Sequence, residues 1–149
     1  MRHVYHCPLR WADMDSLGHV NNVVYVDYLQ EARVDMLTVH APSEESEELG
    51  EGVVVVRHEV DFLFPLVFRP EPVRIESWVT AIKAASYTMR YEILDEMPSG
   101  ERRIYARAAT VLTPYVFTEE RPRRIRPDER AVLESFLEPA PESTSWSGR

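Results

Sequence analysis

The hydrophobic residues change period once along this chain, and that change constrains the fold more than any other feature. Between Asn22 and His40, the residues Val26, Leu29, Ala32, Arg33, Met36 and Leu37 recur at spacings of three and four, with Asp27, Gln30, Glu31 and Asp35 between them. That is the pattern of an amphipathic helix. Asn21 or Asn22 is placed to cap it, because an Asn side-chain oxygen accepts from an unpaired first-turn amide, and Pro42 ends it. Beyond Gly52 the period is two. Strands are predicted over Val53 to Phe64, Val73 to Lys83, Tyr87 to Ile93 and Arg102 to Phe117, with a turn at Met97 to Gly100 and an earlier strand from Val4 to Trp11. Pro127 opens a second, short helix with the stripe Val132, Leu133, Phe136 and Leu137. The acidic stretch Ser43 to Gly52 reads as a solvated loop, and residues 139–149 as a disordered tail behind a single domain over 1–138.

Short links between successive strands favour antiparallel pairing, since parallel neighbours need a long crossover. One amphipathic helix followed by such a sheet buries its apolar face only if the sheet curls around it. The expected class is therefore α+β: a long antiparallel sheet wrapped around one central helix, the hotdog arrangement, with a short C-terminal helix. Such a sheet leaves an edge strand open, and pairing two edges across a twofold axis is a common remedy, so a homodimer is expected.

The 149 residues suit one domain, and the 44% hydrophobic content is that of a globular protein. A formal net charge of -8 argues against wrapping nucleic acid, which demands a surplus of cations. The one cysteine, Cys7, excludes an internal disulfide and any zinc site of several thiolates. His3 and His6 beside it read as alternating strand residues, and no metal site is expected. No apolar run approaches membrane-spanning length and no signal pattern opens the chain, so a cytoplasmic protein that does not enter the membrane is expected.

The chemistry concentrates in Arg10-Trp11-Ala12-Asp13-Met14-Asp15-Ser16-Leu17-Gly18-His19-Val20-Asn21-Asn22. Thioester hydrolysis needs a carboxylate that attacks the carbonyl or activates water, and donors for the oxyanion that forms. Asp15 supplies the first just before the predicted helix. First-turn amides near Asn22 supply the second, at the positive end of the helix dipole. Gly18 permits a tight turn and a close approach. Any one of these residues alone reads as a turn or cap residue, but the whole string exceeds what capping a helix requires.

The string, with Tyr25, Glu31-Ala32-Arg33, Val56 to Phe62 and the late Arg-Pro-Arg-Arg-Ile segment, resembles the 4-hydroxybenzoyl-CoA thioesterase family of hotdog proteins. The motif is also similar to that of plant acyl-carrier-protein thioesterases. The resemblance implies an acyl-CoA thioesterase that needs no cofactor. It makes Asp15 the nucleophile or general base, Asp13 structural, the Asn22 N–H the donor to the thioester oxygen, and His19 the counterpart of the plant-type histidine. Leu17 departs from the plant pattern, which has Asn there. A second hotdog branch carries its carboxylate in the central helix, where Glu31 and Asp27 would be the candidates. The resemblance further implies coenzyme A contacts from Lys83, Ser86, Arg123 and Arg124, Arg being suited to phosphate. Tyr25, Tyr28 and Leu29 would line an acyl pocket together with partner residues around Val60 to Phe64. A homodimer or homotetramer with its active site between subunits is implied. The alternatives are an acyl-carrier-protein thioesterase and a non-catalytic module that binds acyl thioesters.

Overall fold

The computed structural model describes residues 1–40 and 52–140. Most of the expected acidic loop and all of the expected tail beyond Ala140 lie outside them. The elements run β1 (His3–Cys7), a 3-10 turn (Trp11–Asp13), α1 (Asn22–Val39), β2 (Val53–Phe62), β3 (Val73–Ile82), β4 (Tyr87–Glu96), β5 (Arg102–Val116), β6 (Arg121–Pro122) and α2 (Pro127–Ser135). Five strands pair antiparallel in the order β1-β3-β4-β5-β2, and the two-residue β6 folds back onto the end of β5. The sheet and its one long helix have the α+β hotdog form that the periodicity predicts.

Register shows which residues face the helix, because directly opposed residues of an antiparallel pair share a face. Ile75, Ile93 and Ala106 are successive partners across β3, β4 and β5. All three are buried, as are Val79, Met89, Tyr91, Ala108 and Leu112. Against this concave face α1 buries Tyr25, Tyr28, Leu29, Ala32, Arg33, Met36 and Leu37. Ala32 is wholly buried. Its small side chain lets the helix lie close to the sheet.

The structure trims the expected ends of four strands, β5 by one residue to Val116, and carries β4 on to Glu96. β1 stops at Cys7 because Pro8 has no N–H to give the ladder, and the chain then tightens into the 3-10 turn. β2 stops at Phe62 because the next two amides, of Leu63 and Phe64, both turn onto the Tyr105 carbonyl, at 2.8 and 3.2 Å. β3 stops at Ile82 because the Lys83 amide closes a turn onto the Ser86 carbonyl at 2.8 Å.

At the two edges lie short β1 and the ten-residue β2. Val55, Val56 and Phe62 of β2 are exposed apolar residues on an edge whose outer backbone has no strand beside it among the described residues.

The convex face is polar, and β3 and β4 place Glu76 directly opposite Glu92. Like charges at such a pair repel. Arginines offset that repulsion: Arg2 bridges both carboxylates at 3.1 and 3.0 Å, Arg102 reaches Glu76 at 2.9 Å, and Arg74 reaches it at 2.8 Å. Burial alone would raise the Glu76 carboxyl, but hydrogen bonds from Arg102, Arg2 and Arg74 outweigh it and hold the pKa at about 2. Its stabilising effect is therefore complete above pH 4.5 and lost as pH falls towards 2. We expect Glu76→Gln to cost about 3 kcal/mol in urea unfolding at pH 7. The deficit relative to the native chain shrinks below pH 4, and an equal deficit at pH 7 and pH 2.5 would contradict this assignment.

Candidate active site

Two aspartates two residues apart take opposite environments, and that division builds the site. Asp13 is 3% exposed. Its carboxylate accepts from Arg10 Nη2 at 2.9 Å and from the Tyr28 hydroxyl at 2.8 Å, and its carbonyl accepts from the Asn21 amide at 3.0 Å. Burial pushes this carboxyl upward, but the bonds from Arg10 and Tyr28 prevail and its pKa is lowered. Asp13 therefore fastens both ends of the motif loop to the first turns of α1.

Asp15 is exposed. Its Oδ1 accepts from the Leu17 and His19 amides at 2.8 and 3.1 Å, while its own amide donates to the His19 carbonyl at 2.7 Å. Gly18, at φ +75°, makes this closed turn without strain. The Gly18 carbonyl then accepts from the Phe68 amide at 3.2 Å, and Val20 donates to the Leu66 carbonyl at 2.8 Å, so the turn is clamped onto the segment after β2. Among the described residues nothing donates to Oδ2 of Asp15.

The helix start is equally specific. Asn21 is the N-cap, with its side chain accepting from the Val23 amide at 3.0 Å and its carbonyl from the Val24 amide at 2.9 Å. Asn22 is the first helical residue, and its N–H is the first-turn donor without an acceptor among the described residues.

Asp15, His19, Val20, Asn22, Tyr25 and the run Phe62 to Pro65 line one cavity of about 340 Å³. Tyr25 packs edge-to-face on Phe62 with ring centroids 5.1 Å apart. Burial pushes the Tyr25 hydroxyl up, a backbone bond at Leu66 opposes the rise, and the Asp15 charge adds to it. The cavity thus unites four residues singled out from sequence: Asp15, His19, Asn22 and Tyr25. Tyr28 and Leu29 are buried behind it and do not line it, Tyr28 because its hydroxyl serves Asp13. The chain's own Phe62 to Pro65 form its far wall, where the resemblance implied a partner's strand. Val20 and Pro65 were not anticipated, since nothing local announces that the chain after β2 returns to the motif loop.

The expected coenzyme contacts gather elsewhere. Lys83 and Ser86 close the β3–β4 turn, whose Ala84 and Lys83 carbonyls accept from the Ile125 amide at 2.9 Å and from Arg130 Nη2 at 2.8 Å. Arg123 grips the wholly buried Glu129 with both terminal nitrogens, at 2.7 and 2.8 Å. Burial would raise the Glu129 carboxyl, and the bonds from Arg123 and the Arg126 amide lower it instead. Arg124 is exposed, and its carbonyl accepts from Arg123 Nη1 at 3.1 Å. A second cavity, of about 530 Å³, lies here between Gly52, the end of β5 at Tyr115 to Thr118, Arg123 and Arg126. Arg126 and the aromatic pair Tyr115 and Phe117 were not among the expected contacts, although aromatic residues alternating at a strand end beside arginines are a visible signal. Tyr115 lies nine residues along β5 from Ala106, the partner of Phe62, or about 30 Å of extended strand. One chain therefore keeps its carboxylate and its arginine-rich cavity at opposite ends of the sheet.

An antiparallel sheet wrapped on one central helix is the hotdog form. The chain belongs to the thioesterase-like superfamily, whose family model matches residues 9–136, and it is a thioester hydrolase. A Thermus thermophilus thioesterase solved with coenzyme A and zinc is 26% identical, with 89% of this chain and 92% of that chain covered and a TM-score of 0.72. An aspartate-to-asparagine mutant of 4-hydroxybenzoyl CoA thioesterase, solved with 4-hydroxybenzoyl CoA, shares the fold at 15% identity, 89% and 98% coverage and a TM-score of 0.76. The DHNA-CoA thioesterase of Staphylococcus aureus does so at 22% identity, 90% and 89% coverage and a TM-score of 0.74. Among curated proteins none matches the chain in sequence.

The division between the two aspartates is open to measurement. Tyr28→Phe removes a buried donor to a carboxylate and is expected to cost about 2 kcal/mol in denaturant unfolding. A cost below a few tenths would mean that Asp13 does not depend on that bond.

Proposed function

We propose that the chain hydrolyses an acyl-CoA, with Asp15 as nucleophile or general base and the Asn22 N–H polarising the thioester carbonyl. One observation carries this reading: the unshielded Oδ2 of Asp15 shares a cavity with the first-turn donor of α1. A carbonyl oxygen placed over that helix end meets a fixed donor and the positive end of the helix dipole as negative charge develops on it. Asp15, anchored through Oδ1 alone, keeps Oδ2 to attack the carbonyl carbon or to take a proton from water. His19 lines the same cavity and is a candidate for handling the proton that the departing thiolate requires.

Coenzyme A fits the second cavity in chemistry. Arg126 brings positive charge, and Tyr115 and Phe117 offer flat apolar surface to a base. A relative 26% identical was solved with coenzyme A bound. The separation of the two cavities within one chain favours a dimer built through β2. If the two β2 edges pair antiparallel across a twofold axis, the Phe62 end of one strand lies beside the Val53 end of its mate. Val53 is the register partner of Pro114, next to the arginine-rich cavity. Each Asp15 would then face the coenzyme cavity of the other subunit, and Val55, Val56 and Phe62 would be covered.

Asp15→Asn is expected to lower kcat on acyl-CoA thioesters by at least about a hundredfold, with the far-ultraviolet spectrum and coenzyme A affinity unchanged. Full activity in that variant would remove the reading. The interface has its own test, in which Arg126→Ala raises KM and mixing it with Asp15→Asn restores turnover. Only a mixed dimer contains one site with both native halves, so the absence of any recovery after subunit exchange would place each site within a single chain.

A further inference from the structure

The amino end of α1 offers an incoming carbonyl fewer donors than a helix end in general does. The Val23 amide is spent on the Asn21 side chain at 3.0 Å, and the Val24 amide on the Asn21 carbonyl at 2.9 Å. That leaves the Asn22 N–H. An oxyanion has lone pairs for more than one donor, and each donor missing from such a site lowers kcat about a hundredfold or more. A second donor is therefore to be sought on the walls of the cavity of about 340 Å³ that holds Asp15 and Asn22.

Tyr25 lines that cavity, three residues beyond Asn22 on α1. Residues three apart share a helix face, and helical side chains lean towards the amino end, so the Tyr25 ring lies over the first turn. Its edge-to-face contact with Phe62, at 5.1 Å, holds the ring there. Tyr25 is 4% exposed, and its hydroxyl bonds to the backbone of Leu66 in a way that favours the phenolate. Only a bond donated to the oxygen does that, so the Leu66 N–H is the donor and the phenol keeps its own proton. Among the described residues no acceptor takes that proton. Tyr28, by contrast, spends its proton on Asp13. A donor so nearly buried is costly to leave unpaired, and the cavity is where an acceptor can reach it.

We propose that the Tyr25 hydroxyl is the second oxyanion donor, closing with the Asn22 N–H on the oxygen of the thioester carbonyl. This rests on the reading of Asp15 above and deepens it by naming a further catalytic residue. As the new bond forms at the carbonyl carbon, the π pair moves to oxygen, which accepts from both donors. When the C=O bond re-forms and the C–S bond breaks, the thiolate leaves with the pair. The phenol holds its proton throughout. Burial raises the pKa of that phenol, which keeps it a donor across the neutral range.

The test uses the full chain with decanoyl and benzoyl thioesters of coenzyme A and of N-acetylcysteamine. Tyr25→Phe keeps the ring on Phe62 and removes only the hydroxyl. It is expected to lower kcat about a hundredfold, with KM and the acid limb of the kcat/KM–pH profile unmoved. An unchanged kcat overturns the proposal. So does a fall in rate accompanied by an acid limb shifted to higher pH, because the hydroxyl would then be serving the Asp15 carboxylate instead. If Tyr25→Phe fails to fold, a ring-fluorinated tyrosine placed at 25 retains every contact and ionises more readily. It should bring in a basic limb at lower pH than in the native chain, and an unaltered profile overturns the proposal. Asp15→Asn, run alongside, keeps the two readings apart, since full activity there removes the role of Asp15 and leaves the Tyr25 result standing. If the native chain cleaves none of the thioesters, hydrolysis itself is in error. The donor is then read from a decanoyl-CoA analogue with CH2 in place of sulfur, which Tyr25→Phe should bind about tenfold more weakly. Equal binding by the two proteins, or binding by neither, overturns the proposal.

Discussion

A single helix with one apolar face must be covered by a single sheet, and nearly every later feature follows from how that covering is incomplete. The concave rows of β3 and β4 lie under α1 and are large and buried, from Ile75 and Val79 to Met89, Tyr91 and Ile93. Towards β5 the row shrinks to Ala106 and Ala108, and at β2 it passes beyond the helix. A sheet wide enough to wrap the helix is wider than one helix can fill. The surplus is the edge on which pairing is proposed.

The helix also sets where chemistry is available. Its amino end carries unpaired amides wherever it begins, so the motif loop has to deliver a carboxylate there and hold it still. Asp13 does the holding, tied to Arg10, Tyr28 and the Asn21 amide. The work of anchoring falls on a buried residue whose charge is fully matched, which leaves its neighbour Asp15 exposed with one oxygen unengaged. Two aspartates with the same chemistry thus acquire different surroundings, through burial and through the bonds each accepts.

Much of this was legible in the sequence because it is local. The period change places α1 and every long strand, and Asp15, His19, Asn22 and Tyr25, each singled out from sequence, are brought to one cavity by the structure. What was not legible depended on register. Nothing around Lys83 or Arg123 shows that both sit at the end of the sheet opposite Asp15, which requires knowing that Phe62 pairs with Ala106 and Val53 with Pro114. Nor does the string of arginines before α2 show that Arg123 is taken up by Glu129, a buried partner six residues on. Tyr28 matches an acyl-pocket position by type, yet its hydroxyl is bound to Asp13. Local pattern gives the elements, and long-range pairing decides which side chains remain available.

Leu17 shows how far a motif can vary while its geometry persists. The plant-type pattern has an asparagine two residues after the aspartate, and here a leucine stands there with its side chain 76% exposed to solvent. The bond that orients Asp15 comes nonetheless from that residue, through its backbone amide at 2.8 Å, and is joined by the His19 amide at 3.1 Å. Any residue but proline supplies such an amide. The loop's path, fixed by Gly18 and by the bonds to Leu66 and Phe68, therefore positions the carboxylate without help from the side chain at 17. The exchange at 17 therefore leaves the placement of Asp15 intact. His19, held by the same loop, lines the cavity beside Asp15, so the path that places the carboxylate places the imidazole with it.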